Sequence, residues 1–474
     1  MIAIASANGA ADFEQPGMAP TMPRVATCGR WFVVVILAVF AATLVVDLRI
    51  ALTLLTLGAF LAAIAGLRFP ALGLLGLGVL CTLDAMARPL LLTGGLWRWN
   101  TLDYWLLGVA MIFLPLLLRQ KDARVHALAA LLACLAIGLA WTPDVPNGVQ
   151  QIFGAMALFG MLVYFLRAAR LRHAWYWLAV VNGIAGVASS LAFLRQEPQL
   201  PYLNENIWSH APVLATFSIA LAFAAGPLPR RHQLLLAVLA SANAGMVFLS
   251  GSRGNLAMTL VALATIVLLT PSIGQNLTVL IVSVLFGIGV ISQFPDLEAR
   301  TIGRLEIMVN SQETARRRTS GRFDLALGGW YIFQEHPMGA GTGAFPTRWA
   351  QLGRRTGMSS FKVGVPMAAH AGWIKVLAEN GVPGILLLTA FVSSFAVSGW
   401  RRRAWHLRVL GCATSAVIAI ALLSTEFQSK SLWFMAAGAT VLLGRPGVSP
   451  GRRQAPSHRS RQHRRRQPVE HAST

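Results

Sequence analysis

Phe294-Pro-Asp-Leu-Glu-Ala-Arg-Thr-Ile-Gly-Arg304 opens the one long polar stretch of this chain, and Met367-Ala-Ala-His370-Ala-Gly-Trp373 closes it. The stretch carries Arg300, Arg304, Arg316, Arg317, Arg318, Arg322, Arg348, Arg354, Arg355 and Lys362 against Asp296, Glu298, Glu306, Glu313, Asp324 and Glu335. On both sides of it the sequence is a succession of apolar runs close to the ~20 residues that a helix needs to cross a bilayer. An apolar pattern broken only once reads as an all-α polytopic membrane protein with a single long, partly helical loop outside the bilayer.

The totals agree. Hydrophobic residues make up 55% of the chain and charged residues 12%, whereas soluble domains carry about 25% charge. A β-barrel is excluded, because its strands would alternate polarity at every second residue. Spans are expected at 31–47, 50–67, 70–93, 101–118, 125–141, 149–166, 174–194, 207–226, 233–250, 255–270, 277–293, 372–398, 407–423 and 431–444, fourteen in all. Twelve is the competing count, since only Asp47-Leu-Arg49 joins the first two. The last span is short and has to borrow length from its flanks.

Residues 1–30 are mixed in character, with Pro16, Pro20 and Pro23 and no signal-peptide pattern, and apolar sequence begins at Trp31. The net charge of +22 does not point to nucleic acid. Much of it lies in the tail 445–474, which reads as a disordered polybasic segment for an anionic leaflet. Cys28, Cys81, Cys134 and Cys412 are scattered, and neither a disulfide framework nor a metal cluster follows from them.

Loop charge orients the chain. Arg119-Gln-Lys121-Asp-Ala-Arg124, Arg167-Ala-Ala-Arg170-Leu-Arg172, Arg230-Arg231-His232 and Arg401-Arg402-Arg403-Ala-Trp-His406-Leu-Arg408 fall on one side. Trp141-Thr-Pro-Asp144-Val-Pro-Asn147 and Ser424-Thr-Glu426-Phe-Gln-Ser-Lys430 fall on the other. The positive-inside rule then makes both termini cytoplasmic and puts 294–371 outside. The expected organisation is a cytoplasmic segment 1–30, spans one to eleven over 31–293, the outer loop 294–371, three spans over 372–444, and the basic tail.

Within the loop, 321–335 reads as a helix capped by Ser320, with Leu325, Trp330 and Phe333 on a rough apolar face. His336-Pro337 ends it, and Gly339-Ala-Gly341-Thr-Gly343 follows as a turn. Residues 351–364 show no clear period and read as a mobile flap. Arg322 sits in the first helical turn, where a cation opposes the dipole unless an anion is shared with the free N–H groups.

Two further places carry candidate chemistry. Ser250-Gly251-Ser252-Arg253-Gly254-Asn255 sets an arginine among small residues, which lets an anion reach backbone N–H groups while the guanidinium fork binds phosphate. The plainer alternative is an interfacial arginine snorkelling to headgroups. His370, at the start of an apolar run, suits general-base work near neutral pH, against the alternative of a structural imidazole. Arg300, Arg304, Tyr202, Asn206, Trp330 and Lys430 are expected to contact substrate. His210 is a further sugar-site candidate. Asp84 and Arg88, four apart in an apolar run, can pair on one helix face. A phosphate-binding P-loop, a zinc-protease motif and an acidic metal diad of a nucleotide-sugar domain are absent from the sequence.

Taken in order, Ser252-Arg253-Gly254, Ser320-Gly321-Arg322, His336-Pro337-Met338-Gly339-Ala-Gly341 and His370 followed by Glu379-Asn-Gly381-Val-Pro383-Gly384 resemble the O-antigen ligase and polymerase superfamily of bacterial inner-membrane glycosyltransferases. The resemblance covers about 204–443. It implies transfer of a glycan from undecaprenyl pyrophosphate to a hydroxyl at the periplasmic face, with lipid A–core as the acceptor of a ligase. It also implies that Arg253 and Arg322 hold the pyrophosphate, that His370 deprotonates the acceptor, and that no metal or other cofactor is needed. The family's His-x-His-Asn is reduced here, with Ala368 and Ala371 flanking a lone His370. A polymerase, a protein O-oligosaccharyltransferase and, from another class, a transporter or flippase are the alternatives.

Overall fold

The computed structural model describes residues 48–91, 101–119, 122–196, 209–270, 274, 281, 322–356, 369, 371–424 and 429–444. Among these residues there are fourteen α-helices and no strand. They are α1 (Leu48–Ala65), α2 (Pro70–Leu91), α3 (Thr101–Leu118), α4 (Ala123–Gly138, prolonged by a 3-10 turn Leu139–Trp141), α5 (Val145–Ala168), α6 (Arg172–Gln196) and α7 (His210–Ala225). After these come α8 (Arg230–Leu249), α9 (Arg253–Leu269), α10 (Arg322–Glu335), α11 (Phe345–Thr356), α12 (Gly372–Trp400), α13 (Trp405–Ser424) and α14 (Lys430–Gly444). All but α10 and α11 coincide with expected spans; the expected span 31–47 lies outside the described residues, as does 277–293 apart from residue 281. Six helices (α4 with its turn, α5, α6, α8, α12 and α13) are by themselves long and apolar enough to cross a membrane.

One expectation fails. Residues 351–356, read from sequence as the start of an aperiodic flap, are the last turns of α11. Phe345, Trp349 and Leu352 recur at helical spacing and enter a small core with Leu325, Ile332 and Ala378. A reading frame begun at Gln351 misses the two aromatic residues that carry the period.

The bundle is built around α7 and α14. Every residue from Ala211 to Ala224 and from Lys430 to Leu443 is buried, as a helix apolar on all sides should be. The shortness of α14 is thereby met by protein rather than lipid, because α5, α7 and α13 enclose it. Packing, not the hydrophobic effect, joins helices within a bilayer, and small residues allow their backbones to approach. At the α1–α2 crossing, a Cβ on Gly66 would stand 2.0 Å from the Cα of Gly73. At α12–α13, one on Gly399 would stand 2.8 Å from the Cα of Gly411.

The two ends of the bundle differ in charge. At one end Asn255 Nδ2 donates to Ser209 Oγ, Lys430 pairs with Asp103, and Asn147 Nδ2 donates to Gly343 O (2.7 Å). At the other end Arg402 caps α14 by donating to Leu443 O, and Arg167 donates to Leu67 O. Arg119, Arg170, Arg172, Arg230, Arg231, Arg401, Arg403 and Arg408 also belong to that second end, at the termini of α3, α5, α6, α8, α12 and α13. The segment 322–356 sits at the first end.

Helix α12 is broken. Gly381 has φ 59° and ψ −151°, and Pro383 follows. The register against α13 shows how far the two halves diverge. Gly372 meets Leu422, and the Trp373 indole donates to Ala419 O (3.0 Å), whereas Ser415 Oγ donates to Val392 O (2.9 Å). Between 372 and 392 the partner position on α13 thus moves only from 422 to 415. A straight antiparallel pair would have moved one residue for each residue. The first half, 372–380, therefore folds across the end of the bundle, and only the second half descends as a span.

Candidate active site

The break in α12 is bolted by the glycine turn. Gly339, Gly341 and Gly343 have φ of 100°, 104° and 87°, a left-handed region that costs other residues about 1–2 kcal/mol each. Their alternation aims successive N–H groups at different partners. Gly339 N donates to His336 O (2.8 Å), Ala340 N to Ala378 O (3.0 Å), Gly341 N to Glu379 O (2.9 Å), Thr342 N to Gly138 O (3.2 Å) and Ala344 N to Gly341 O (3.0 Å). Phe345 N donates to Glu379 Oε1 (3.0 Å), which also receives Gln151 Nε2 (3.3 Å). Val382 N donates to Pro337 O (3.1 Å), so the backbone freed by the kink is satisfied from both sides.

Those bonds decide what the turn can do. A glycine-rich run before a helix invites reading as a phosphate cradle. Here the N–H groups of 339–342, 344 and 345 are all engaged, and the acceptor that meets Phe345 N is the protein's own Glu379 carboxyl. Thr342 Oγ1 adds a bond to Leu135 O (2.7 Å), and the Trp141 indole donates to Gly339 O (3.1 Å). The turn is therefore a fastening that sets α10 and α11 on α4, α5 and α12.

The fastening presents Arg322 as the first residue of α10. Arg253 is likewise the first residue of α9, after Gly251 at φ 63° and an extended Ser252. Ser250 Oγ shapes that approach by accepting from Ser252 N (3.1 Å) and donating to Val247 O (2.6 Å). Gly254 permits close contact with α13, since a Cβ there would stand 2.6 Å from Ser424 Oγ. Burial first, and the positive charge of Arg253 second, lower the Arg322 guanidinium from its ordinary range. The fold thus brings into electrostatic contact two arginines that lie far apart in sequence, each at a helix N-terminus. Like charges, partial burial and two positive dipole ends all favour an anion beside the pair.

Around the start of α9 lies a polar floor. His210 Nδ1 is 3.3 Å from Ser431 Oγ, which is 2.8 Å from Ser429 Oγ, while Ser209 receives Asn255. Lys430, expected to touch substrate, is buried with its Nζ 3.0 Å from Asp103 Oδ1. Trp330 is on the outward face of α10, in ring contact with Phe333 (centroids 5.3 Å apart). His370, Arg300, Arg304, Tyr202 and Asn206 lie outside the described residues. Asp84 and Arg88 fall within α2.

Sequence reasoning missed Asp103, Gln151 and the structural part played by Glu379. The signal was available, since a polar side chain inside an apolar run demands a partner. Among the described residues no three His, Cys, Asp or Glu side chains gather as metal ligands.

Residues 235–389 match the family model described as O-antigen ligase. The matched stretch runs from α8 into the second half of α12 and holds Arg253, Arg322 and the glycine turn. No curated protein matches the chain.

Proposed function

We propose that this chain, whose residues 235–389 match the O-antigen ligase family, is an O-antigen ligase. It moves a glycan from undecaprenyl pyrophosphate to a lipid A–core hydroxyl at the periplasmic face of the bacterial inner membrane. The observation that supports this reading is that Arg253 and Arg322 each begin a helix and that the charge of Arg253 reaches the Arg322 guanidinium. A diphosphate leaving group is the kind of anion such a pair fits.

In this mechanism His370 takes the proton of the acceptor hydroxyl as its oxygen attacks the anomeric carbon. The bond from that carbon to the pyrophosphate oxygen breaks, and its electron pair leaves with undecaprenyl pyrophosphate. Displacement from the opposite face inverts the configuration. Arg253 and Arg322 receive the departing charge, which is the work a divalent metal would otherwise do. Arg300, Arg304, Tyr202, Asn206, Trp330 and Lys430 are further proposed contacts to donor or acceptor. The cation-rich end of the bundle faces the cytoplasm together with both termini, in keeping with loop charge.

Lipopolysaccharide from a deletion strain, complemented with the parent or with His370→Ala, Arg253→Ala or Arg322→Ala, tests the reading on a gel. Loss of every ladder band, with lipid-linked polymer accumulating, is the ligase outcome. Core bearing a single repeat would instead make the chain a polymerase, and an unchanged ladder from the His370→Ala strain at normal protein levels would remove the base. Activity that vanishes with EDTA and returns with Mg²⁺ would overturn metal independence.

A further inference from the structure

Helix α10 has three kinds of surface. Leu325, Gly328, Gly329 and Ile332 form its buried face. Asp324 and Glu335 share a flank, being three helical turns apart. Phe323, Leu327, Trp330 and Gln334 run along the remaining outward face at spacings of four, three and four. That face is aromatic and open: Phe323 is 48% exposed and Trp330 46%. A soluble cap would carry its charges there.

The position of α10 explains the composition. A Cβ on Gly329 would stand 2.3 Å from Ile374 Cγ2, and one on Gly381 would stand 2.5 Å from the carbonyl carbon of Met338. Helix α10 therefore runs alongside the first half of α12, the half that folds across the end of the bundle. At the far end of α10 the exposed Met338 (69%) adjoins Val382 and, one turn on, Leu386 (63%), which begin the outer surface of a membrane span. The apolar surface is thus continuous from a lipid-facing helix onto the cap.

We propose that α10 is an interfacial helix. Its Phe323–Leu327–Trp330 stripe lies in the headgroup region of the bilayer, and the Asp324–Glu335 flank faces water. Trp favours that depth, and an apolar stripe of Trp, Phe and Leu beside a charged flank places a helix in the plane of the interface, with the acids kept on the water side. The occupant of the stripe is the lipid bilayer itself. The consequence for the site is that Arg322, at the start of the helix, is held at the level of lipid phosphates. The inference requires only that the chain spans a membrane; it stands or falls apart from glycan transfer.

The test is a nitroxide scan of the full-length protein in phosphatidylethanolamine–phosphatidylglycerol vesicles. Cys28, Cys81, Cys134 and Cys412 are first replaced by alanine, and single labels are placed through Phe323→Cys, Leu327→Cys, Trp330→Cys, Glu335→Cys and Leu386→Cys. Collisions with oxygen relative to a water-soluble nickel chelate should be severalfold higher at 323, 327 and 330 than at 335, and should approach the value at 386. A ratio as low as that at 335 along the whole stripe would mean an aqueous cap and would overturn the proposal. Suppression of both collision rates on the stripe would mean that protein covers it, with the same consequence. If one variant fails to insert, the helical period over the other positions decides between these outcomes. A lipid-exposed stripe on a protein with no transfer activity would keep this inference and remove the proposed function.

Discussion

Replacing Glu379 should loosen the cap by an amount that can be worked out from its bonds. Its Oε1 receives Phe345 N at 3.0 Å and Gln151 Nε2 at 3.3 Å. Glu379→Ala leaves two buried donors, the Phe345 N–H and the Gln151 amide, without an acceptor, each costing about 1–3 kcal/mol, so about 4 kcal/mol is lost in all. Glu379→Gln keeps an oxygen for these donors but adds a buried NH2 where Glu379 Oε2 has no partner, which puts its cost at about 2 kcal/mol. Since ~1.4 kcal/mol is a factor of ten, local opening should rise about a thousandfold in the alanine variant and about thirtyfold in the glutamine variant. Hydrogen exchange followed by mass spectrometry on peptides covering 339–352 reads this directly, with peptides from the buried core of α7 as the unchanged reference. Parent-like exchange of those amides in Glu379→Ala would refute the fastening. Equal acceleration in the two variants would refute the part assigned to the retained oxygen.

Other expectations follow from the same contacts. Arg253→Ala and Arg322→Ala should each slow transfer by roughly a hundredfold or more, on the ~3 kcal/mol scale of a lost oxyanion donor, and the double variant should fall short of the product because the pair acts as a unit; initial rates with a synthetic lipid-linked donor check this. Lys430→Met alone removes the ion-pair partner of the partly buried Asp103 at a cost of about 3 kcal/mol, which combining it with Asp103→Leu should largely recover. Thermal stability in detergent measures that recovery, and a stable double variant with normal turnover would show that Lys430 has no substrate role. At the opposite end, burial pushes the Asp122 carboxyl up, but the hydrogen bond and charge of Arg124 outweigh it and hold the group below its usual 3.8. A depressed carboxyl stabilises the fold above the unfolded value and loses that contribution as pH falls through the folded value. The melting difference between parent and Asp122→Asn should therefore be full at neutral pH and shrink only below about 3.8, where a constant difference would disprove the linkage.

The spans were legible because twenty apolar residues have few other physical meanings, and loop arginines sort the ends without knowledge of packing. Helix α10 was legible too, as its Pro337 stop and glycine turn are written locally. Helix α11 was not, because Phe345 and Trp349 lie beside the glycine turn and look like part of it. That Arg253 and Arg322 act together is a reading from shared side and shared charge, and the helix starts at both residues are what the structure adds. What no local pattern contained was the use of the turn's N–H groups, since their acceptors come from Gly138, Ala378 and Glu379, on helices distant in sequence. Asp103 was overlooked for the same reason: its partner Lys430 lies at the far end of the chain.

The bonds that link 337–345 to 378–382 also impose an order on biosynthesis. The ribosome emits the glycine turn before the acceptors on which three of its backbone donors depend, so the nascent cap waits for α12. Chains stalled before Gly381 should leave that turn open to protease, and chains released after Pro383 should protect it, so docking of the cap records that the twelfth helix has arrived.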